Sequence, residues 1–245
     1  MEFAVRTGRV CVGIAVAGSG LMQVVTGDFV RLVPKLPSWM PPHPGWAIGC
    51  GVVLMVVGAA LAAGWRGRQA ALALLALLLG TFLVQRVPEI MANPGAGYVW
   101  TNPAKVLALA GGTWLLAGLG RGAGLVAAVL LGVFLVICGA QHFVYAEFVD
   151  TLVPVWMPPT RRFWTLFTAI ALLAGGVGVV LPRTRCWAGL LSGTMIFLWV
   201  LLVHLPRTFD LRSAFELAGV FEALALGGVA WLVAAEPRPE VARIA

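Results

Sequence analysis

Charge is the scarcest property of this sequence. Only 11% of its 245 residues are charged, against 60% hydrophobic, and mean hydropathy is +0.95. A soluble domain carries about 25% charged residues, so this chain has too few to cover a water-facing surface. An ordinary soluble fold is excluded. The net charge of +7 comes from Arg and Lys scattered singly or in pairs at the ends of apolar runs. No basic face and no aromatic-basic pattern forms, which excludes a nucleic-acid partner. The four cysteines, Cys11, Cys50, Cys138 and Cys186, are far apart and lie in or beside apolar runs. No C-x-x-C redox or zinc motif can form from them, and they read as buried, unreactive thiols. There is no Ser-His-Asp set, no Gly-rich phosphate loop and no His-x-x-x-His spacing. Hydrolase and nucleotide-dependent chemistry therefore find no support, and no metal ligands are assigned.

Long apolar runs are what the sequence does have. A spanning helix needs about 20 mostly apolar residues. Eight such segments fall at 8–30, 45–64, 69–88, 102–119, 123–146, 163–181, 186–205 and 213–234. Arg6 and Arg9 precede the first run as in a signal peptide, but the run continues to Val30 without a small-x-small cleavage site, so a retained helix is expected. Short turns hold Arg66 and Arg68, Arg121, and Arg183 and Arg185, and these turns contain no acid. With Arg238 and Arg243 near the end, all fall on one side of an eight-span chain. The positive-inside rule makes that side cytoplasmic, with both termini there. The expected location is a bacterial inner membrane, in contact with lipid. The opposite segments also carry cations, among them Arg86, Lys105, Arg161 and Arg207, but with acids such as Glu89, Asp150 and Glu216 to pair with.

The chain also repeats itself. Gly139-Ala-Gln-His-Phe143 leads to Pro154-Val-Trp-Met-Pro-Pro159. A degenerate copy runs from Gly20-Leu-Met-Gln23 through Leu32-Val-Pro34 to Trp39-Met-Pro-Pro42. Val87-Pro88 matches Leu205-Pro206, and Gly111-Gly112 matches Gly227-Gly228. Aligned on Gln23 and Gln141, the first copy has Val24 and Val25 where the second has His142 and Phe143. Four spans per copy is an even number, so both copies insert the same way, as a parallel duplication and not an inverted transporter repeat. The expected fold is all-α and integral to the membrane: eight transmembrane helices as two parallel-repeated four-helix bundles, 1–121 and 122–245. Gly49-x-Gly51, Gly58 to Gly64, and Gly175-Gly-x-Gly178 supply small residues for close helix packing in lipid.

These features resemble the DoxX-like family of small four-helix membrane proteins. The resemblance rests on Gly139-x-Gln141-His142-Phe143, Pro154-x-Trp156-x-Pro158, the Gly-rich second helix of each half and the Gly-Gly of each fourth helix. It implies a membrane protein associated with thiosulfate:quinone oxidoreduction or another membrane redox complex. The expected function is an accessory subunit of a quinone-linked redox system, with other membrane or redox proteins as partners. The alternative is a non-catalytic structural, lipid-holding or pigment-holding subunit of a larger complex. A transporter ranks third. No reaction is assigned.

An ionisable residue inside a membrane is a functional candidate by default. His142 and His204 lie near the outer ends of the fifth and seventh spans. Glu222 lies about nine residues, or roughly 13 Å, into the eighth. Gln141 and Tyr145, one turn apart, and Trp156 could join them. Three readings stay open: a structural polar cluster, a quinone or other lipid-soluble ligand site, and bis-His haem ligation by His142 and His204. The last lacks any cytochrome motif. In the first half Asp28, Arg86 and Glu89 are expected to form an ion pair, with Arg86 taking the place of His204. Trp39, Trp46, Trp100, Trp156 and Trp164 read as an interfacial aromatic belt. The Trp-Met-Pro-Pro segments read as re-entrant or as lids, and His43 as solvated.

Overall fold

A computed structural model describes residues 1–30, 43–120, 122–211 and 214–236. The first Trp-Met-Pro-Pro copy, Arg121, Arg212, Arg238 and Arg243 lie outside the described residues. Among the described residues all regular structure is helical: α1 (Glu2–Thr26), α2 (Pro44–Ala63), α3 (Gly67–Thr81), α4 (Val87–Ala92), α5 (Tyr98–Leu116), α6 (Ala123–Val144), α7 (Ala146–Leu152), α8 (Arg161–Val180), α9 (Arg185–Trp199), α10 (Leu205–Leu211) and α11 (Ala214–Ala234). Two π-helical stretches, Phe82–Arg86 and Val200–His204, join α3 to α4 and α9 to α10.

Local sequence accounts for the breaks. Each π-helical stretch is followed within two residues by a proline, Pro88 or Pro206. A proline has no N–H to donate and its ring crowds the carbonyl four residues back. Widening the preceding turn relieves both problems. α1 ends at Gly27, in the left-handed region at φ 65°, where its N–H returns to the Gln23 carbonyl. His43 is exposed but caps a helix. Its Nδ1 accepts the Gly45 N–H at 3.0 Å at the start of α2, with Pro44 as the first helical residue. Thr160 caps α8 in the same way through the Phe163 N–H at 3.1 Å.

Seven helical runs among the described residues are long and apolar enough to cross a membrane: Glu2–Thr26, Pro44–Ala63, Gly67–Ala92, Ala123–Val144, Arg161–Val180, Arg185–Phe209 and Glu216–Ala234. The remaining expected span falls on α5, which has 19 residues. Thr101, Asn102 and Lys105 lower its hydropathy. α5 tolerates them because it packs against α3, α6 and α11.

The helices do not separate into two closed bundles. α1 packs on α2 and α11, α11 on α9 and α5, α5 on α3 and α6, and α6 on α8; lighter contacts join α2 to α3 and α8 to α9. The long helices thus form one ring, with α5 and α11 touching across it. The strong closing contacts, α5 on α6 and α11 on α1, run between residues 1–121 and 122–245. In lipid no hydrophobic drive favours either closure, and the choice goes to the better-packed glycine faces.

Those faces meet backbone to backbone. A Cβ on Gly13 would sit 2.7 Å from the Gly58 carbonyl oxygen, and one on Gly58 would sit 2.6 Å from the Gly13 oxygen. The α6–α8 crossing does the same, with 2.7 Å for Gly132 against the Gly176 oxygen and 2.8 Å for the reverse. Gly20 lies against Gly51 and Met55 of α2, and Gly139 against Ala169 and Leu173 of α8. Gln23 follows Gly20 by three residues, as His142 follows Gly139.

The arginines of the tight turns are more than topology signals. Arg185 is buried, and its Nε and Nη2 donate to the last carbonyls of α8, Val179 at 3.0 Å and Val180 at 3.2 Å. Arg68 Nε donates to Ala117 O at the end of α5, at 3.3 Å. Helix C-termini carry unsatisfied carbonyls and partial negative charge, so a guanidinium there is favourable. Glu236, just past α11, is partly buried, and that burial raises its carboxyl above the ordinary 4.5 while Arg185 pulls it down less strongly.

Two outcomes follow from this packing. Gly176→Leu should drive side-chain atoms into the α6 backbone at Gly132, costing about 1–3 kcal/mol or more, and appear as a lowered thermal transition with loss of monodisperse protein in detergent. Folding raises the proton affinity of the Glu236 carboxyl. Its contribution is fully present below the unfolded carboxylate pKa and is lost as pH rises through the raised folded value. Glu236→Gln should flatten the decline of the thermal transition from pH 4 upward; an unchanged slope would refute this.

Candidate functional site

The side chains of α6, α8, α9 with its π-helical stretch, α11 and α5 enclose a partly open cavity of about 290 Å³. α7 closes one side of it with Val149 and Leu152, followed by Val153. α7 is fastened from outside: Asp150 accepts from Thr165 Oγ1 at 2.6 Å and pairs with Arg162 at 3.0 Å. The second Trp-Met-Pro-Pro turn follows it, with Met157 buried and Trp156 exposed.

Much of the wall is apolar, with Phe134, Leu172, Ile196, Val203 and Leu226 among its residues. Against this background a few polar groups converge. His142, His204 and Glu222 all line the cavity. The π-helical stretch ends on His204 and sets its position. His142 Nδ1 lies 2.7 Å from the Cys138 carbonyl one turn back. A carbonyl only accepts, so Nδ1 carries the proton and Nε2 is left as the acceptor of the neutral ring. Two further polar atoms in this wall, Thr168 Oγ1 and Trp199 Nε1, are buried without a hydrogen-bond partner. Leaving such atoms unsatisfied costs about 1–3 kcal/mol each.

The residue that sequence reasoning missed is Lys105. Its Nζ donates to Glu222 Oε2 at 2.8 Å across the α5–α11 contact, and the two side chains are 16% and 11% exposed. A carboxylate at this depth needs a cation, and α5 brings one from the other half of the chain. A signal for it exists in the sequence. Lys105-Val-Leu-Ala-Leu109, with Trp114-Leu115 beyond, aligns with Glu222-Ala-Leu-Ala-Leu226 and Trp231-Leu232 at a shift of 222 − 105 = 117. In this register Gly111 matches Gly228, not Gly227. Gly111 packs on Ala127 of α6, and Gly228 on Gly8 of α1. In this alignment Lys105 and Glu222 share one position, and the two side chains meet each other.

Other expected members lie elsewhere. Gln141 bonds to the Thr101 hydroxyl and donates to Gly97 O at 2.7 Å, which ties the end of α6 to the start of α5. It is one residue from His142, and one residue is about 100° around a helix. Tyr145 is half-exposed and lies against Gly97. Trp156 is 63% exposed and is not in the cavity wall. The wall tryptophans are Trp164, expected in the interfacial belt, and Trp199; their rings meet edge-on, centroids 6.0 Å apart. Trp164 Nε1 donates to Pro158 O at 2.8 Å, so one side chain links the Trp-Met-Pro-Pro turn to the cavity. In the first half Arg86 pairs with Glu89 at 2.7 Å. Asp28 does not join this pair; its Oδ1 accepts the Phe29 N–H at 2.8 Å. Among the described residues no group of three or more His, Cys, Asp or Glu is placed to hold a metal ion.

Comparison with known families bears on the first third of the chain. Residues 4–86 match the DoxX family model. DoxX is a membrane family, and its match ends on Arg86, at the close of the first π-helical stretch. Residues 131–217 match a second family, described as a domain of unknown function (DUF8561). The cavity-lining part of α6 and the whole of α7 to α10 fall within that second match, and none of the residues lining the larger cavity falls within the DoxX match. No curated protein and no solved structure matches the chain.

Removing one partner of a buried ion pair strands the other charge, at about 3–5 kcal/mol. Lys105→Met should therefore lower thermal stability by that order. Lys105→Met combined with Glu222→Gln should recover most of the loss, because the double variant buries no net charge. Equal losses in the single and double variants would show that the pair does not couple α5 to α11.

Proposed function

We propose that this protein is an eight-span, tandemly duplicated DoxX-like membrane protein. In this reading its cavity holds the head group of a lipid-soluble quinone, and the protein serves as an accessory subunit of a quinone-linked redox system. The observation that carries the reading is one partly open, largely apolar cavity into which His142, His204 and the Lys105–Glu222 pair converge. Ligand cavities are typically about 300–1,000 Å³, apolar, with a few placed polar groups. At about 290 Å³ this cavity suits a single ring with its tail leaving through the open side. Thr168 Oγ1 and Trp199 Nε1 can donate to quinone carbonyl oxygens, the His204 ring lies in the same wall, and His142 Nε2 can accept from the hydroxyl of the reduced quinol. A quinone would bring reversible two-electron, two-proton chemistry; the chain's part is to bind, orient and shield its head.

The duplication is supported by the matching order of elements. Long helix, outer segment, long helix, tight turn, then a helix with a π-helical stretch ahead of a proline occur in each half, and the two stretches are 200 − 82 = 118 residues apart. We divide the copies at 1–121 and 122–245 and count α5 as the eighth span. Arg66, Arg68, Arg183 and Arg185 share one end of the bundle, supporting a bacterial inner-membrane protein with both termini on the cytoplasmic side. The alternative, a non-catalytic subunit of a larger membrane complex, draws on the Lys105–Glu222 pair as a purely structural clasp.

Decylubiquinone titrated into the protein in lipid nanodiscs should quench Trp164 and Trp199 fluorescence saturably. His204→Ala and Thr168→Val should each weaken binding about tenfold, the effect of losing a 1.4 kcal/mol contact, without moving the thermal transition. Absence of saturable quenching, or identical affinity in both variants, would leave the structural-subunit reading in place.

A further inference from the structure

We propose that the first half contains a sealed counterpart of the ligand cavity, so that each chain offers one working site and one latent site for the same class of ligand, a neutral carbonyl-bearing ring. The inference rests on the duplication and the ligand class proposed above. Its basis is a second, much smaller cavity on the far side of the Lys105–Glu222 pair. It measures about 10 Å³ and is lined by Arg86, Asn102, Lys105, Val106, Leu109 and Glu222, with Leu226. That volume is at the lower limit for one water molecule, about 10–15 Å³.

The positions correspond to those of the large cavity. At the 117-residue shift, Asn102, Lys105, Val106 and Leu109 match Gly219, Glu222, Ala223 and Leu226, all of which line the large cavity. The first π-helical stretch ends on Arg86 just as the second ends on His204. The small cavity therefore occupies the equivalent place and differs by side-chain bulk. Glycine is replaced by asparagine, alanine by valine and histidine by arginine. Each substitution adds atoms where the second half leaves space.

The sealed half keeps polar groups that its packing does not use. Gln23, in the register of His142 but outside the lining of the small cavity, is 0% exposed, and neither its amide nitrogen nor its oxygen has a partner. Arg86 Nε and Gln85 Oε1 are also buried and unpartnered. A purely structural filling would place apolar side chains there. Arg86 is matched by Glu89 and Lys105 by Glu222, so the counterpart offers hydrogen bonds without an excess charge. That points to a neutral ligand and away from an anion.

The first test needs no ligand. In a protein with its four cysteines replaced by serine, Ala223→Cys and Val106→Cys place a thiol in each of the two cavities. N-ethylmaleimide, followed by intact-protein mass spectrometry, should modify Ala223→Cys at least 100-fold faster than Val106→Cys. Adding Asn102→Gly to Val106→Cys should raise its rate at least tenfold, and Asn102→Gly with Val106→Ala should raise decylubiquinone stoichiometry from one to two per chain. Equal rates for Ala223→Cys and Val106→Cys in the otherwise native interior would overturn the proposal, whether or not the glycine variant folds. So would a folded glycine variant whose thiol stays unreactive. If the thiol rates follow the expectation but no quinone binds to any variant, the sealed counterpart stands and the quinone reading falls.

Discussion

One buried ion pair joins the two halves of this chain. Lys105 and Glu222 meet where α5 crosses α11, in surroundings where a lone charge is expensive. Neither helix could carry its charged residue without the other. α5 in turn packs on α6, and α11 on α1. The pair is therefore a clasp at the centre of the helix ring, and the glycine contacts around it let the helices come close enough to make it. The polar residues that make α5 the least apolar of the long helices are tolerated because α3, α6 and α11 surround it.

The same clasp forms part of the wall of both cavities. On one side small residues, Gly219 and Ala223, leave room, and a π-helical stretch delivers His204 beside it. On the other, Asn102 and Val106 fill the space and Arg86 turns to Glu89. The difference between a cavity that can hold a ring and one that can hold a water molecule comes from a few side chains on a shared backbone plan. Neither the helices nor their order need change. α7 and the turn after it complete the larger cavity, fastened by Asp150 and by the Trp164 indole.

Three polar residues of the cavity wall are marked in the sequence by cost alone. His142, His204 and Glu222 stand out because ionisable groups are rare in such runs, and the structure sets all three in one wall. Neighbours in sequence misled the reading. Gln141 adjoins His142 but points toward α5, where Thr101 and Gly97 hold it. Trp156 belongs to the conspicuous motif yet is exposed, while Trp164, which looked interfacial, reaches the cavity. Lys105 was grouped with outer cations because its partner is 222 − 105 = 117 residues away, and a single charge does not announce a distant partner. Aligning Gln23 with Gln141 also leaves out that Gly20 and Gly139, each three residues before Gln23 and His142, make like backbone contacts.

The sequence by itself determined the membrane setting, the helical fold and the paucity of polar groups available for chemistry. These follow from composition and run length, since a chain with 11% charged residues must satisfy its backbone within helices in lipid. The tertiary structure decided which helices pair, that the ring closes through α5–α6 and α11–α1, and that Lys105 neutralises Glu222. It also decided which residues line the larger cavity. Helix pairing in lipid depends on the fit of glycine faces and on where a buried charge finds its opposite. Both are relations between residues about a hundred positions apart, which no local pattern of apolar and polar residues encodes.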